Sequence, residues 1–470
     1  MPVMLAKEMT SEATLRSPPL PQTPSVGPAE TDRLVTIACI WFVLLCFRHE
    51  ELGWTFHLGV TMTPDRACFL LLVGTFVAQV LGGRKRIARP GFTGVCMLMF
   101  AGVCFSSYVI HDSDAESPTG LRWLTTLVNM VVYPFVAYFV FKSTPYDAAN
   151  LKRMLNWVTA LGAYLALTAV FEHYEMTPLV WPQYIMDPRV GIQWGRARGP
   201  FVSAIELGPI LILAFLVITA RSLHSSGPSR LVLIALSVIS LAAIYFTYTR
   251  SVWLGLMGSL VLSAVFSRGF RRISLPVMGL LLLVFLVGIA GKLSISSGTL
   301  FSRRQNTIDY RLLNYEIAFL VFQQHPLFGV GYGKFAGTDE LREFHEKLRS
   351  GSGAVLDDGN HNTFLGLLAE TGLAGFSTYL LTLFGVGAIS LGTLKRLKRA
   401  NRLEREVAVL AVCLLFLFFL IGQTGDLRFH VAVHGMAFSI FGIIAAMSRD
   451  PRLIPPPERA PHRRAAWEIL

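Results

Sequence analysis

The sequence predicts an all-α polytopic membrane protein of about twelve transmembrane helices, with one large outer-face loop between spans 9 and 10. Three observations predict it. Charged residues make up 15% of the chain and hydrophobic ones 53%, whereas a soluble domain carries about 25% charged residues. The mean hydropathy is +0.52, and the apolarity is clumped into runs of bilayer-spanning length. The basic residues between those runs fall unequally on the two sides.

The runs lie at about 34–48, 67–83, 92–110, 123–141, 154–171, 205–220, 231–248, 252–267, 273–291, 372–393, 407–424 and 431–447. Clusters such as Arg84–Lys85–Arg86, Arg268 with Arg271 and Arg272, and Lys395–Arg396 with Lys398–Arg399 occupy the loops on one side. The four short loops opposite hold only Arg48, Arg66, Arg122, Arg250 and Arg428. This is the positive-inside asymmetry, and it puts both termini in the cytoplasm. The net charge of +12 therefore does not mean nucleic acid, because membranes separate basic residues that would have to share one face.

The expected organisation is a disordered cytoplasmic tail over 1–32, spans 1–9 over 33–291 and a large loop carrying the chemistry over 292–371. Spans 10–12 follow over 372–448, then a basic cytoplasmic tail over 449–470. The first 32 residues have no apolar core, so no cleavable signal is read there. The six cysteines all fall inside spans and read as small apolar packing residues, not disulfides or metal ligands.

Two outer segments are long, about 172–204 and 292–371, and long loops tend to carry function. In the second, YRLLNYEIAFLVFQQHP places Leu312, Tyr315, Phe319 and Phe322 on one helical stripe, with Arg311 at its start and Pro326 ending it. Gly329, Gly331 and Gly333 follow. No strand precedes them and no helix opens directly after, so an irregular turn is read in preference to a phosphate cradle. Residues 339–349 are charged and read as a solvated helix or flap.

Asn360 or Asn362 can then cap a helix that ends at Gly372, where the next span begins. That puts His361 at a helix N-terminus, where the dipole favours neutral imidazole, the form a general base requires. The bland alternative is that His361 only hydrogen-bonds its own loop. Asp357 and Asp358 suggest a divalent metal, but adjacent aspartates point apart and no third carboxylate is near, so no metal or cofactor is expected.

In the first segment Arg196 and Arg198 stand just before an apolar span that contains Glu206. They either snorkel to the interface or form an anion site, because guanidinium forks match diphosphate oxygens. Glu206 is a candidate partner for one of them. Asp426, Arg428, His430 and His434 line a cavity or pair with each other, and Asp65 reads as a helix-start residue. Walker, H-E-x-x-H and Ser-His-Asp patterns are missing from the sequence.

With RARGPF before one span, YTRSVWLG after another, and YRLLNYEIAF, HPLFGVGYGKF and GNHNTFLGLLAETGLAG over roughly 310–376, the chain resembles the O-antigen ligase/polymerase superfamily. The resemblance implies a metal-independent, all-helical glycosyltransferase of the type-C class in the bacterial inner membrane. Such an enzyme moves a glycan from an undecaprenyl-diphosphate carrier to lipid A–core or to a growing glycan, at the periplasmic face.

It implies that Arg196 and Arg311 hold the donor diphosphate, and that His361 activates the acceptor hydroxyl or orients the donor. Arg198, Arg250, Asn362 and Tyr315 are the further candidates for contacting diphosphate or glycan. The chain departs from the family at SAIELG, where an Asn-rich pair is usual, which opens the choice between Arg196 and Arg198. It departs again at Tyr315, where Trp is usual. A flippase or secondary transporter is the rival class, and it predicts internal repeats and broken helices near the midplane. The halves show no repeat, and the polar residues gather at the outer face.

Overall fold

A computed structural model describes residues 28–47, 52–54, 56–57, 61–110, 127–293, 299–335, 338, 361–397 and 402–450. Arg48, Arg122, the 339–349 segment, Asp357, Asp358, Asn360 and most of both tails lie outside the described residues.

The architecture is all-helical apart from a two-residue antiparallel bridge pairing Phe56–His57 with Thr61–Met62. In chain order the helices are α1 Pro28–Leu45, α2 Pro64–Leu81, α3 Gly91–Ile110, α4 Tyr133–Lys142 (entered through a π turn, Val128–Val132), α5 Ala148–His173 and α6 Ala204–Leu223. There follow α7 Gly227–Phe246, α8 Arg250–Phe266, α9 Arg268–Leu293, α10 Thr299–Gln324, α11 Thr363–Arg396, α12 Arg402–Gly422 and α13 Val431–Met447. Among the described residues six helices are long and apolar enough to cross a membrane, namely α2, α5, α6, α7, α11 and α12. The protein is a helical membrane protein.

Burial separates inner helices from outer ones. In α6, 83% of the apolar stretch is buried, against 22% in α7. A helix apolar all round belongs inside the bundle, and α13 does so, its Phe438 and Phe441 buried beside Tyr138 and Phe141 of α4. Backbones approach closely there: a Cβ on Gly442 would lie 2.6 Å from the Tyr138 carbonyl oxygen, the small-residue contact typical of helices packed in lipid. All six cysteines are free and buried.

The feature that positions the site is a break in α11. At Gly372 the backbone turns to φ 59, ψ −162, a region open essentially to glycine alone. The break frees two carbonyls and two N–H groups. The segment Pro326–Gly331 captures all four. Val330 N donates to Ala369 O at 3.0 Å and Gly331 N to Glu370 O at 2.9 Å, while Leu373 N donates to Pro326 O at 2.9 Å and Ala374 N to Leu327 O at 3.1 Å. Irregular backbone at membrane depth is tolerated only when satisfied by protein in this way.

The glycine-rich run is thus a structural brace with its N–H groups already used. Gly372→Ala is expected to destabilise the protein by about 1–3 kcal/mol from backbone strain alone. The new Cβ would also lie 2.3 Å from the Leu327 carbonyl carbon. A lowered thermal midpoint of the purified protein in detergent checks this.

One expectation is corrected here. Arg311 stands in the middle of α10, not at its start, because Thr299–Gln324 contains no proline or glycine to begin the helix later.

Candidate functional site

The 174–203 segment folds back on the end of α5 around one buried ion pair. Arg198 is 0% exposed and Glu172, in the last turn of α5, is 7%. The Glu172 carboxylate accepts from Arg198 N and Gly199 N, both at 2.8 Å, and from Arg198 Nε at 3.4 Å. The remaining guanidinium nitrogens donate to Val190 O and Ile185 O, both at 2.7 Å, and the guanidinium carbon lies 4.6 Å from the Trp194 ring. Arg198, expected among the diphosphate ligands, is therefore an enclosed staple, its donors consumed by protein. Arg198→Ala is expected to cost about 3 kcal/mol by leaving a buried carboxylate without its cation, read as a lower thermal midpoint.

A second correction concerns Glu206. Its partners are His430 Nδ1 and Ala432 N, each at 3.3 Å, and neither arginine. Glu206 stands in the first turn of α6 and faces the start of α13, so packing between the two helix ends selects the partner.

Arg196, two residues before the staple, is only partly buried. Burial and then the positive field of Arg311 hold its guanidinium below the usual arginine range. The two cations are thus within electrostatic reach although they come from different segments. Among the described residues neither has a carboxylate within ion-pair distance. The Arg196 loop is tied by Ala197 N to Phe246 O at 2.9 Å, at the α7–α8 corner that carries Arg250. His173 stacks on Phe246 at 3.9 Å. Arg250 opens α8 and is exposed.

Asn362 caps α11, its Oδ1 accepting from Phe364 N at 2.9 Å and Leu365 N at 3.1 Å. The same side chain reaches Gln423 O and Oε1, each at 3.4 Å. Tyr315 of α10 donates its hydroxyl to Gln423 O at 2.9 Å. Thr363 Oγ1 donates to Gly425 O at 3.0 Å and accepts from Leu427 N at 2.9 Å. The α12–α13 turn therefore locks together the middle of α10 and the start of α11. Arg311 lies one helical turn before Tyr315 on the same face, and His361 immediately precedes the cap. Tyr315 and Asn362, expected to touch substrate, have these structural partners.

Beneath the turn lies a buried charge network. Arg428, 2% exposed, donates from Nε to Asp426 Oδ1 at 2.8 Å and from Nη1 to Glu370 Oε2. Glu370 Oε2 also accepts from Gly333 N at 2.9 Å, joining the network to the brace beside Gly372. Burial opposes the Arg428 charge, but Asp426 and Glu370 hold it well above its usual range. Glu172 and Glu370 were not singled out from sequence. The available signal was a carboxylate inside an otherwise apolar helix, a costly placement that calls for a partner.

Backbone strain gathers at this end. The described non-glycine residues with positive φ are Glu175, Gln193, Val202, Tyr248 and His361. All lie in the 174–203 segment, the α7–α8 corner or the α11 cap, and a β-branched residue such as Val202 at φ 46 is a true outlier. Such strain concentrates at functional sites.

Residues 235–380 match the family model described as O-antigen ligase. Over that stretch the chain is similar to the O-antigen ligase family. The match contains Arg250, Arg311, Tyr315, His361, Asn362 and Glu370, while Arg196, Arg198 and the Asp426–Arg428 pair lie outside it. No curated protein matches the chain. The arrangement offers two guanidinium groups within electrostatic reach of each other, with no carboxylate at ion-pair distance among the described residues, and an imidazole at a helix N-terminus. Paired guanidinium groups suit an anion, and a neutral imidazole suits proton acceptance.

Proposed function

We propose that the protein transfers a glycan from an undecaprenyl-diphosphate carrier to an acceptor saccharide at the periplasmic face of the inner membrane, as an O-antigen ligase with lipid A–core as acceptor. What supports this is that Arg196 and Arg311 lie within electrostatic reach of each other, with no carboxylate in ion-pair distance among the described residues. Two like charges held together favour an anion between them, and a diphosphate fits two forks.

The acceptor hydroxyl oxygen bonds to the anomeric carbon as the anomeric C–O bond to the diphosphate breaks. The hydroxyl proton passes to His361, and undecaprenyl diphosphate departs. Negative charge grows on the diphosphate along this path, so fixed guanidinium groups stabilise the transition state more than the ground state. This chemistry needs no metal ion. The carrier's tail stays among membrane lipids while its sugars lie in water, and the positive-inside pattern supports cytoplasmic termini.

The test is transfer in vitro with purified protein, lipid-linked glycan and lipid A–core, with and without chelator. Transfer that persists in chelator is expected. Loss restored by Mg²⁺ would overturn the metal-free reading and return attention to Asp357 and Asp358. Polymerisation of repeat units is the alternative within the superfamily. A deletion strain separates the two: free lipid A–core with accumulated lipid-linked polymer marks a ligase, and single capped repeat units mark a polymerase. Movement of lipid-linked glycan across the bilayer without transfer would point to a flippase.

A further inference from the structure

A second charged site lies at the other end of the bundle. The site described above adjoins the start of α13, and α13 runs from Val431 to Met447, about 25 Å at 1.5 Å per residue. At its far end a cavity of about 330 Å³ opens between the end of α4, the loop before α3 and the end of α13. Its lining includes Arg86, Lys142, Arg449 and one described acid, Asp450.

Lys142 is only 4% exposed, and its Nζ donates to Pro90 O. Among the described residues no carboxylate lies within ion-pair distance of it. The Arg449 guanidinium, bonded to Arg89 O at 3.1 Å, crowds the same spot. A Cβ on Gly91 would lie 3.7 Å from Arg449 Nη2 and 3.9 Å from Lys142 Nζ. An ammonium buried without an anion and facing a second cation is costly. Part of that cost is offset because both cations stand at helix C-termini, where the dipole favours positive charge. Of the hydroxyls nearby, Thr144 Oγ1 donates to Val140 O at 2.9 Å, Ser143 Oγ accepts from Ala88 N at 3.0 Å, and the buried Tyr146 hydroxyl in the lining has no hydrogen-bond partner among the described residues. The Lys142 ammonium and the Arg86 and Arg449 guanidinium groups are the cations in the lining able to take an anionic ligand.

We propose that this pocket binds a phosphate-bearing anion, supplied by the headgroup of an anionic membrane lipid. It lies at the ends of apolar helices and beside the basic loop Arg84–Arg89, the setting in which basic pockets hold anionic headgroups. The site is separate from the proposed transfer chemistry and does not depend on it.

The test measures thermal unfolding and lipid binding of the full chain in neutral detergent. The additions are phosphatidylglycerol, cardiolipin, phosphatidylcholine or inorganic phosphate. The anionic lipids are expected to raise the midpoint and phosphatidylcholine is not. Arg449→Gln and Arg86→Gln should each weaken lipid binding about fivefold, the equivalent of about 1 kcal/mol per basic residue, and Lys142→Met more. If Lys142→Met does not fold, the two arginine variants carry the test. Equal stabilisation by inorganic phosphate, with the same dependence on the variants, would keep the anion site and overturn the lipid source. Anionic lipid no better than phosphatidylcholine, or variants that bind like the parent, would overturn the site and leave helix-end capping as the role of these cations.

Discussion

Arg311→Ala is expected to lower the transfer rate by about a hundredfold to a thousandfold, the loss seen when one preorganised donor to a developing anion is removed. The protein should stay folded. Arg311 is partly buried and has no acidic partner among the described residues. Its loss also relieves the positive field that depresses the Arg196 guanidinium. The thermal midpoint should therefore be unchanged or slightly raised. Arg196→Ala should behave in the same way.

The neighbouring Arg198→Ala should do the reverse, losing stability because its guanidinium is bound inside the fold. Assaying rate and thermal midpoint for the three variants side by side checks the assignment. An Arg311→Ala protein with parental transfer would remove the basis of the proposed anion site. His361→Ala, whose side chain precedes the α11 cap, is expected to lose about a hundredfold or more as a proton acceptor.

The largest effect on stability should come from Arg428→Ala. This guanidinium sits between Asp426 and Glu370, all three side chains nearly inaccessible. Removing it leaves two buried carboxylates facing each other. Breaking a buried pair costs about 3–5 kcal/mol, so the loss here should reach or pass the upper figure, a large share of a typical stability.

The damage should also spread, because Glu370 holds Gly333 N and flanks the Gly372 break. Sharply reduced yield of folded protein in detergent checks the first point. The second is checked by a triple variant, Arg428→Met with Glu370→Gln and Asp426→Asn, which should recover much of the loss because neutral groups carry no uncompensated charge. If Arg428→Ala alone melted like the parent, the network would not be the structural brace it is taken to be.

Local properties were legible from residues alone. The apolar runs coincide with helices because length and hydropathy are properties of a single segment. A cap at Asn360 or Asn362 and the break at Gly372 were readable because capping geometry and a positive φ belong to one or two residues, and the structure places the cap at Asn362. The start of α10 was misplaced because an apolar stripe marks the packed face of a helix and not its full length.

Composition and charge pattern by themselves determined the class of protein, since transfer to lipid depends on what each segment contains and not on its neighbours. Which arginine stays partly exposed and which is a staple was decided by tertiary packing. Arg196 and Arg198 are chemically alike, and only the approach of the end of α5 gives Arg198 its carboxylate. The pairing of Glu206 with His430, and of Glu370 with Arg428, was decided the same way. A charge in a low-dielectric interior takes the partner that the fold brings within a few ångströms, and sequence separation does not enter that energy.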